Sequence, residues 1–167
     1  MVNNAKTMLN NHTNIADDKM KSLEIGGGNK IEVSDIELEE RFKCTGMELF
    51  NALTQKEMLQ IFTRNPVKME GDAKKGTEFV LLDGVIHGTY TEVTPYTKIS
   101  QKWRLKSWPA GHFSDVTLKI TQTKEDTKLS LTQASVPHKE LENTRQGWLR
   151  YYFHAIKQSF GFGASLF

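Results

Sequence analysis

Residues 144–160 read TRQGWLRYYFHAIKQSF and carry the clearest structural pattern of the chain. At 100° per residue, one arc of a helix would hold the large apolar side chains Trp148, Leu149, Tyr152, Phe153, Ile156 and Phe160. The polar side chains Arg150, His154 and Lys157 fall outside that arc. We therefore predict a long amphipathic helix over about residues 141 to 161, which must bury its aromatic face. Asn143 or Thr144 is expected to start it, and Gly161 and Gly163 to end it.

Upstream of this helix, apolar and polar residues alternate with a period of two. Residues 32–43 place Ile36, Leu38 and Phe42 on one side and charged side chains on the other. This predicts a half-buried strand with an acidic outer face. From Val67 to Gln133 the alternation continues between turn signals, Lys74-Lys-Gly76 and Asp83-Gly84. We interpret that region as a meander of about six antiparallel strands.

Two short helices are predicted between the first strand and the meander. Thr45-Gly-Met-Glu48 and Thr54-Gln-Lys-Glu57 both have the spacing of a capping box, in which threonine and glutamate exchange hydrogen bonds at a helix start. Asn65-Pro66 would end the second helix. The chain therefore predicts an α+β domain in which one long C-terminal helix packs across a curved antiparallel sheet of about six or seven strands.

Residues 1–30 differ from the rest in composition. They are rich in Asn, Lys and Asp and end in Gly26-Gly-Gly-Asn29, which predicts a flexible tail or linker before a folded domain over 31–167. No apolar segment has the form of a signal peptide or the length of a membrane span. Because Cys44 is the single cysteine, we expect a reducing compartment and a cytoplasmic location.

No residues stand at spacings typical of catalysis, metal binding or nucleotide binding. The five histidines lack metal-ligand spacing: His12, His87, His112, His138 and His154. Gly161-Phe-Gly163 lacks the third glycine of a nucleotide-binding fingerprint and follows a helix. We interpret Cys44 as structural, since a reactive thiol needs a base and a cationic setting. A net charge of +2 is too weak to indicate nucleic acid, and we expect no enzyme, metal or cofactor.

The most distinctive segment is KWRLKSWPAGHF, residues 102–113, which contains two tryptophans, three Lys or Arg residues and no acid. Alternation places Trp103 in the core and makes the cations on either side a basic stripe, which is either a solvated strand face or a surface that steers an acidic partner. Trp108 precedes Pro109 and is either a contact anchor or a cap folded back on the sheet. Phe113 has the wrong parity for the next strand, so either a bulge intervenes or it points outward. The predicted partner-binding surface is Lys102, Arg104, Lys106, Trp108 and Phe113.

This segment resembles the C-terminal domain of the heat-shock protein 90 ATPase activator family. So does the stretch from Thr144 to Trp148, with the motifs that follow it: Tyr151-Tyr-Phe153, Ile156-Lys-Gln158, Phe160-Gly-Phe-Gly163 and Leu166-Phe167. The resemblance covers about residues 32–167. It implies a helix-grip fold, similar to the START-like superfamily of lipid-transfer proteins and birch-pollen allergens.

The resemblance also implies a co-chaperone that contacts the dimerised nucleotide-binding domains of the chaperone and favours its closed, ATP-hydrolysing state. The N-terminal domain with which the family docks on the middle segment of the chaperone is expected to be missing here, and we expect a monomer. The second hypothesis is a carrier of lipids or other hydrophobic small molecules, with a cavity between sheet and helix. The bulk of the aromatic side chains decides whether such a cavity exists. A third, an enzyme of that superfamily, would need polar groups in the cavity, where the helix offers only Tyr152.

Overall fold

An antiparallel sheet of eight strands forms one layer of the computed structural model, which describes residues 21–25 and 29–163. The strands lie side by side in the order β1-β2-β8-β7-β6-β5-β4-β3. Their bounds are β1 (Lys21–Ile25), β2 (Asn29–Phe42), β3 (Lys68–Met69), β4 (Glu78–Leu81), β5 (Ile86–Thr94), β6 (Lys98–Leu105), β7 (Ser114–Gln122) and β8 (Thr127–Pro137).

Helices form the second layer. Two short ones, α1 (Gly46–Thr54) and α2 (Lys56–Thr63), connect β2 to β3. After a 3₁₀ turn (His138–Glu140), the C-terminal helix consists of α3 (Leu141–Gly147), a π-helical segment (Trp148–His154) and α4 (Ala155–Phe160). The predicted α+β helix-grip architecture is confirmed, including the six-stranded meander β3 to β8. Within the described part of the chain, no helix is long and apolar enough to cross a membrane.

The sheet begins before Ile31, where the folded domain was expected to start. Strand β1 lies inside the predicted tail and pairs with the first residues of β2, with Lys21 opposite Val33 and Ile25 opposite Asn29. The composition of this segment indicated a tail, because pairing with a partner strand is a non-local contact that composition does not reveal. The rest of the predicted tail, residues 1–20 and 26–28, lies outside the described residues, as do residues 164–167.

The C-terminal helix buries the aromatic face that its sequence predicted. Trp148, Phe153 and Ile156 are all buried. The helix begins at Leu141, as the predicted range of about 141 to 161 required, and the suggestion that Asn143 or Thr144 starts it is wrong. Thr144 is instead an interior, buried position of the first turns. The end is as predicted, since Gly161 takes a left-handed φ of 72° that suits a glycine C-cap.

The π-helical segment aligns two aromatic side chains that an α-helix would separate. Residues five positions apart point about 140° away from one another in an α-helix, which turns by about 100° per residue. In a π-helix the angle between them is smaller, because the helix is wider and its hydrogen bonds join i and i+5. Trp148 and Phe153 accordingly both face the sheet, with ring centroids 6.2 Å apart. Phe153 then meets the Phe42 ring edge-on at 6.0 Å.

All three tryptophans of the chain form one cluster between sheet and helix. The Trp103 ring stacks on Trp148 with centroids 5.5 Å apart and meets Trp108 edge-on at 5.6 Å. Two indole N–H groups donate to buried partners: Trp103 Nε1 to Tyr152 Oη (3.2 Å) and Trp148 Nε1 to Gln133 Oε1 (2.7 Å). The central space between the two layers is therefore filled by aromatic rings, two of which have their polar atoms satisfied.

Of the two predicted capping boxes, the first is confirmed and the second is wrong. Thr45 Oγ1 accepts from Glu48 N (3.1 Å), and Glu48 Oε1 accepts from Thr45 N (3.0 Å). Helix α2 instead begins after Gln55, which makes no side-chain cap. Thr54 is the buried last residue of α1, and its hydroxyl donates to Phe50 O at 2.7 Å. One residue cannot end a helix in this way and also cap the next.

Replacing Thr45 with alanine is expected to lower the free energy of unfolding by about 1 kcal/mol, because the Glu48 backbone N–H loses its acceptor, the Thr45 hydroxyl. Urea unfolding followed by far-UV circular dichroism measures the change. Thr45→Ser keeps the hydroxyl and is expected to retain most of the stability. A serine variant as unstable as the alanine variant would contradict the capping role.

Candidate partner-binding surface

Strand β6 presents the basic stripe on the outer face of the sheet. Burial alternates along the strand, with Gln101 and Trp103 buried and Lys102 exposed. Lys102 forms an ion pair with Asp115 on the neighbouring strand β7. Lys106 follows the end of the strand, is exposed, and donates its backbone N–H to Val85 O at 2.8 Å. The predicted exposure of both lysines is confirmed.

Arg104 holds the turn that follows β6. Its guanidinium donates from Nη1 to Pro109 O (3.0 Å) and from Nη2 to Trp108 O (2.9 Å). The same group lies 5.7 Å from the centroid of the Phe113 ring, a cation–π distance. Because its donors are engaged by the turn, Arg104 shapes this surface more than it offers charge to a partner.

Trp108 caps the core and is not an exposed anchor. Only 3% of its surface is accessible, and its ring lies against Trp103 and, at 5.9 Å, against His112. Of the two interpretations of this tryptophan, the folded-back cap is correct and direct contact of the indole is ruled out in this conformation. The apolar environment of Trp103 at the end of the sheet attracts the ring, which strand alternation could not reveal for a turn residue.

Phe113 points outward, as one of its two interpretations required. It is 40% exposed and lies immediately before β7, so its parity differs from that of the strand. The structure thus brings Lys102, Lys106 and Phe113 to the surface around Arg104, while Trp108 supports them from inside. We call these three exposed residues the β6 surface.

A cleft beside the β6 surface lies where the carrier hypothesis places a cavity, between the sheet and the C-terminal helix. It has a volume of about 740 Å³ and lies between the C-terminal helix and the edge where β5 begins and β6 ends. Trp103 and Tyr152 form part of its wall, and exposed Val85 and Tyr151 stand at its rim. Gly147, whose missing side chain leaves room on the helix flank, was the sequence signal that could have indicated it.

Burial keeps the Cys44 thiol and the Tyr90 and Tyr152 hydroxyls protonated and neutral. Burial, with a smaller contribution from the charge of Glu48, raises the pKa of the Cys44 thiol to about 12. Burial also raises the pKa of the Tyr90 and Tyr152 hydroxyls above the usual range. No group of His, Cys, Asp or Glu side chains in the described part of the chain could hold a metal ion.

Cys44 is expected to react with Ellman's reagent at pH 8 at least one hundredfold more slowly in the folded protein than in urea. The raised pKa lowers the fraction of thiolate, the reactive form, and partial burial limits access. Stopped-flow absorbance of the released thiolate dye measures both rates. Equal rates in the folded and unfolded chain would contradict a structural role for this cysteine.

Comparison with known proteins gives this surface a family context. Residues 43–161 match the family model described as Activator of Hsp90 ATPase homolog 1-like protein. The chain belongs to this family. The match runs from the end of β2 to the end of the C-terminal helix, so the β6 surface and the cleft both lie inside it.

Two curated relatives and one solved structure illustrate the similarity. The proteins named Activator of 90 kDa heat shock protein ATPase homolog 1 from Mus musculus and Homo sapiens are each 43% identical over 140 residues, which cover 84% of this chain. The chain spans 41% of the length of either relative. A crystal structure titled an HSP90 activator from Plasmodium falciparum is 33% identical with a TM-score of 0.70, and the alignment covers 77% of this chain and 97% of that one.

Family membership and the filled core bear on the carrier hypothesis. The three tryptophans, Tyr152 and Phe153 fill part of the space between sheet and helix, where the carrier hypothesis places its cavity. The space that these rings leave open is the cleft beside the helix, and exposed side chains form its rim. The relatives are named for ATPase activation, not for catalysis of their own.

Proposed function

We propose that this chain is a co-chaperone domain that binds heat-shock protein 90 and favours the closed, ATP-hydrolysing state of its dimer. The observation that carries the proposal is membership of the activator family over residues 43–161. The similarity to a solved HSP90 activator of nearly the same extent supports a role for the domain by itself. The chain acts as a monomer in the cytoplasm and performs no catalysis of its own.

Such a binder accelerates hydrolysis by preferring one conformation of its partner. The shift that it causes is limited by its differential affinity for the closed and open states. A tenfold stimulation needs a preference of about 1.4 kcal/mol. One exposed aromatic side chain and two lysines can supply a preference of that size.

The β6 surface contacts the nucleotide-binding domains of the chaperone dimer. Phe113 provides apolar contact, and the lysines steer an acidic patch towards it, which raises the association rate more than the affinity. Arg104 and Trp108 act indirectly by holding the turn between β6 and β7. A charged surface of this kind predicts binding that weakens as salt rises.

The experiment is a titration of this chain against heat-shock protein 90, with ATP hydrolysis and direct binding measured in parallel. We expect saturable binding and a saturable rise in the hydrolysis rate. Binding without stimulation would reduce the domain to a docking module that needs another part of a longer activator. Absence of binding would overturn the proposal.

The double variant Lys102→Ala/Phe113→Ala is expected to bind about tenfold more weakly, which corresponds to about 1.4 kcal/mol lost over the two contact residues together. Lys119→Ala serves as the control, because Lys119 is an exposed lysine of β7 outside the β6 surface. Unchanged binding of the double variant, with its thermal unfolding intact, would remove the β6 surface from the proposal.

A further inference from the structure

The cleft continues along the C-terminal helix as a longer groove. A smaller depression of about 320 Å³ shares Asn65, Leu82 and Tyr151 with the 740 Å³ cleft. The larger part has mainly apolar walls, which include Trp103 and Leu105. Pockets of this size and character hold bulky apolar groups in other proteins. We call the two parts together the helix groove.

The helix groove is lined by cations without any acid among the described residues. Lys106 stands in the larger part, whereas Arg64 and Arg150 stand in the smaller one. None of these three forms an ion pair within residues 29–163, whereas several other surface cations do, such as Lys157 with Glu40. Unpaired cations spread along an apolar groove complement a ligand with apolar and acidic groups.

Two buried side chains, Thr144 and Tyr152, form part of the wall of the groove. Thr144 is 1% exposed, and its Oγ1 has no partner in the described part of the chain. Tyr152 accepts a hydrogen bond from Trp103 Nε1, and no described residue accepts its own proton. Because both side chains are almost fully buried, they shape the wall of the groove and present no exposed hydroxyl to a ligand.

We propose that the helix groove binds an acidic segment of the chaperone that carries a bulky apolar side chain, an inference that rests on the proposed function. The apolar side chain packs between Trp103 and Leu105 in the larger part. A protein segment fits better than a small anion, because the cations lie in both parts of the groove and only an extended ligand reaches all of them.

Two variants test the groove without touching the β6 surface. Gly147→Leu fills the larger part, and it should fold because a Cβ at Gly147 meets nothing within 4 Å. Arg150→Glu reverses an exposed charge in the smaller part. Lys119→Glu makes the same charge change on the outer face of β7 and serves as the matched control. Thermal unfolding followed by circular dichroism verifies that each variant is folded.

The measurement is isothermal titration of each protein into heat-shock protein 90 with a non-hydrolysable ATP analogue, at low and high salt. We expect Gly147→Leu to bind at least tenfold more weakly at both salt concentrations. Arg150→Glu should bind at least fivefold more weakly at low salt, with a smaller difference at high salt, and Lys119→Glu should bind within twofold of the wild type.

Three other outcomes would overturn the proposal in different ways. If the wild type fails to bind, the proposed function falls and the groove proposal falls with it. If the wild type binds and both groove variants bind equally well, the function stands and the groove is not the docking site. If native mass spectrometry finds a small apolar acid that Gly147→Leu excludes while chaperone binding is retained, the groove belongs to a small molecule.

Discussion

Replacing Trp148 with alanine is expected to lower the free energy of unfolding by about 3–5 kcal/mol, the range typical of large aromatic truncations in a core. Trp148 is 1% exposed and lies at the centre of the aromatic cluster, stacked on Trp103 and only 4.1 Å from the Tyr152 ring centroid. Its removal leaves a cavity between sheet and helix. It also leaves the amide oxygen of Gln133 without its hydrogen-bond donor. Urea unfolding followed by far-UV circular dichroism measures the loss.

The Trp148→Phe variant distinguishes the contribution of the apolar contacts from that of the hydrogen bond. It keeps most of the apolar contact but leaves Gln133 Oε1 without its donor, which should cost about 1–3 kcal/mol. Restoring stability with Trp148→Phe/Gln133→Leu is not expected in full, because Gln133 Nε2 also donates to Ser114 Oγ at 2.9 Å. A cost below about 1 kcal/mol for Trp148→Ala would contradict the packing described for this cluster.

Gly88→Ala is expected to destabilise the fold by about 3 kcal/mol or more, at the upper end of overpacking effects. A Cβ at this position would lie 2.2 Å from Lys102 O and 2.3 Å from Phe79 Cζ. The carbonyl belongs to the adjacent strand β6, so β5 and β6 would have to move apart, and the Phe79 ring would have to leave its place over the glycine. Thermal and urea unfolding both measure this loss.

Gly147→Ala is the matched control and should have the opposite sign. This glycine has helical backbone angles, and a Cβ there meets no neighbour within 4 Å. Alanine in a helix is favoured over glycine by about 0.5–1 kcal/mol, so we expect a gain of that order. If Gly147→Ala also lowered the stability, the space available to a Cβ would not be what decides the effect of alanine at these two glycines.

The sequence predicted those parts of the fold that depend on local pattern. The amphipathic C-terminal helix, the turn at Asp83-Gly84 and the meander follow from periodicity and turn chemistry, and they are present. Strand β1 was missed because it is held by long-range pairing with β2, and Thr144 was wrongly suggested as a starting residue of the helix because its burial comes from tertiary packing. The π-helical winding had no counterpart in a fixed 100° periodicity.

The directions of the candidate-site side chains could be predicted on strand β6 but not in the turn that follows it. Alternation along β6 correctly exposed Lys102 and buried Trp103, because strand geometry alone decides those directions. Trp108 lies in a turn, where its direction depends on Arg104 and on the tryptophan beneath it. The helix groove depends on the approach of three separate segments, and only the small size of Gly147 was visible in the sequence.

The clustering of every tryptophan at one place has a spectroscopic consequence. The intrinsic fluorescence of the whole chain comes from indoles that lie within one aromatic cluster, so emission reports on this junction of sheet and helix and on little else. The near-parallel rings of Trp103 and Trp148, 26° apart, are also suited to exciton coupling. Because Trp103 lines the groove, an unlabelled molecule that enters it would change the tryptophan emission directly. Binding in the groove can therefore be followed by intrinsic fluorescence without a label.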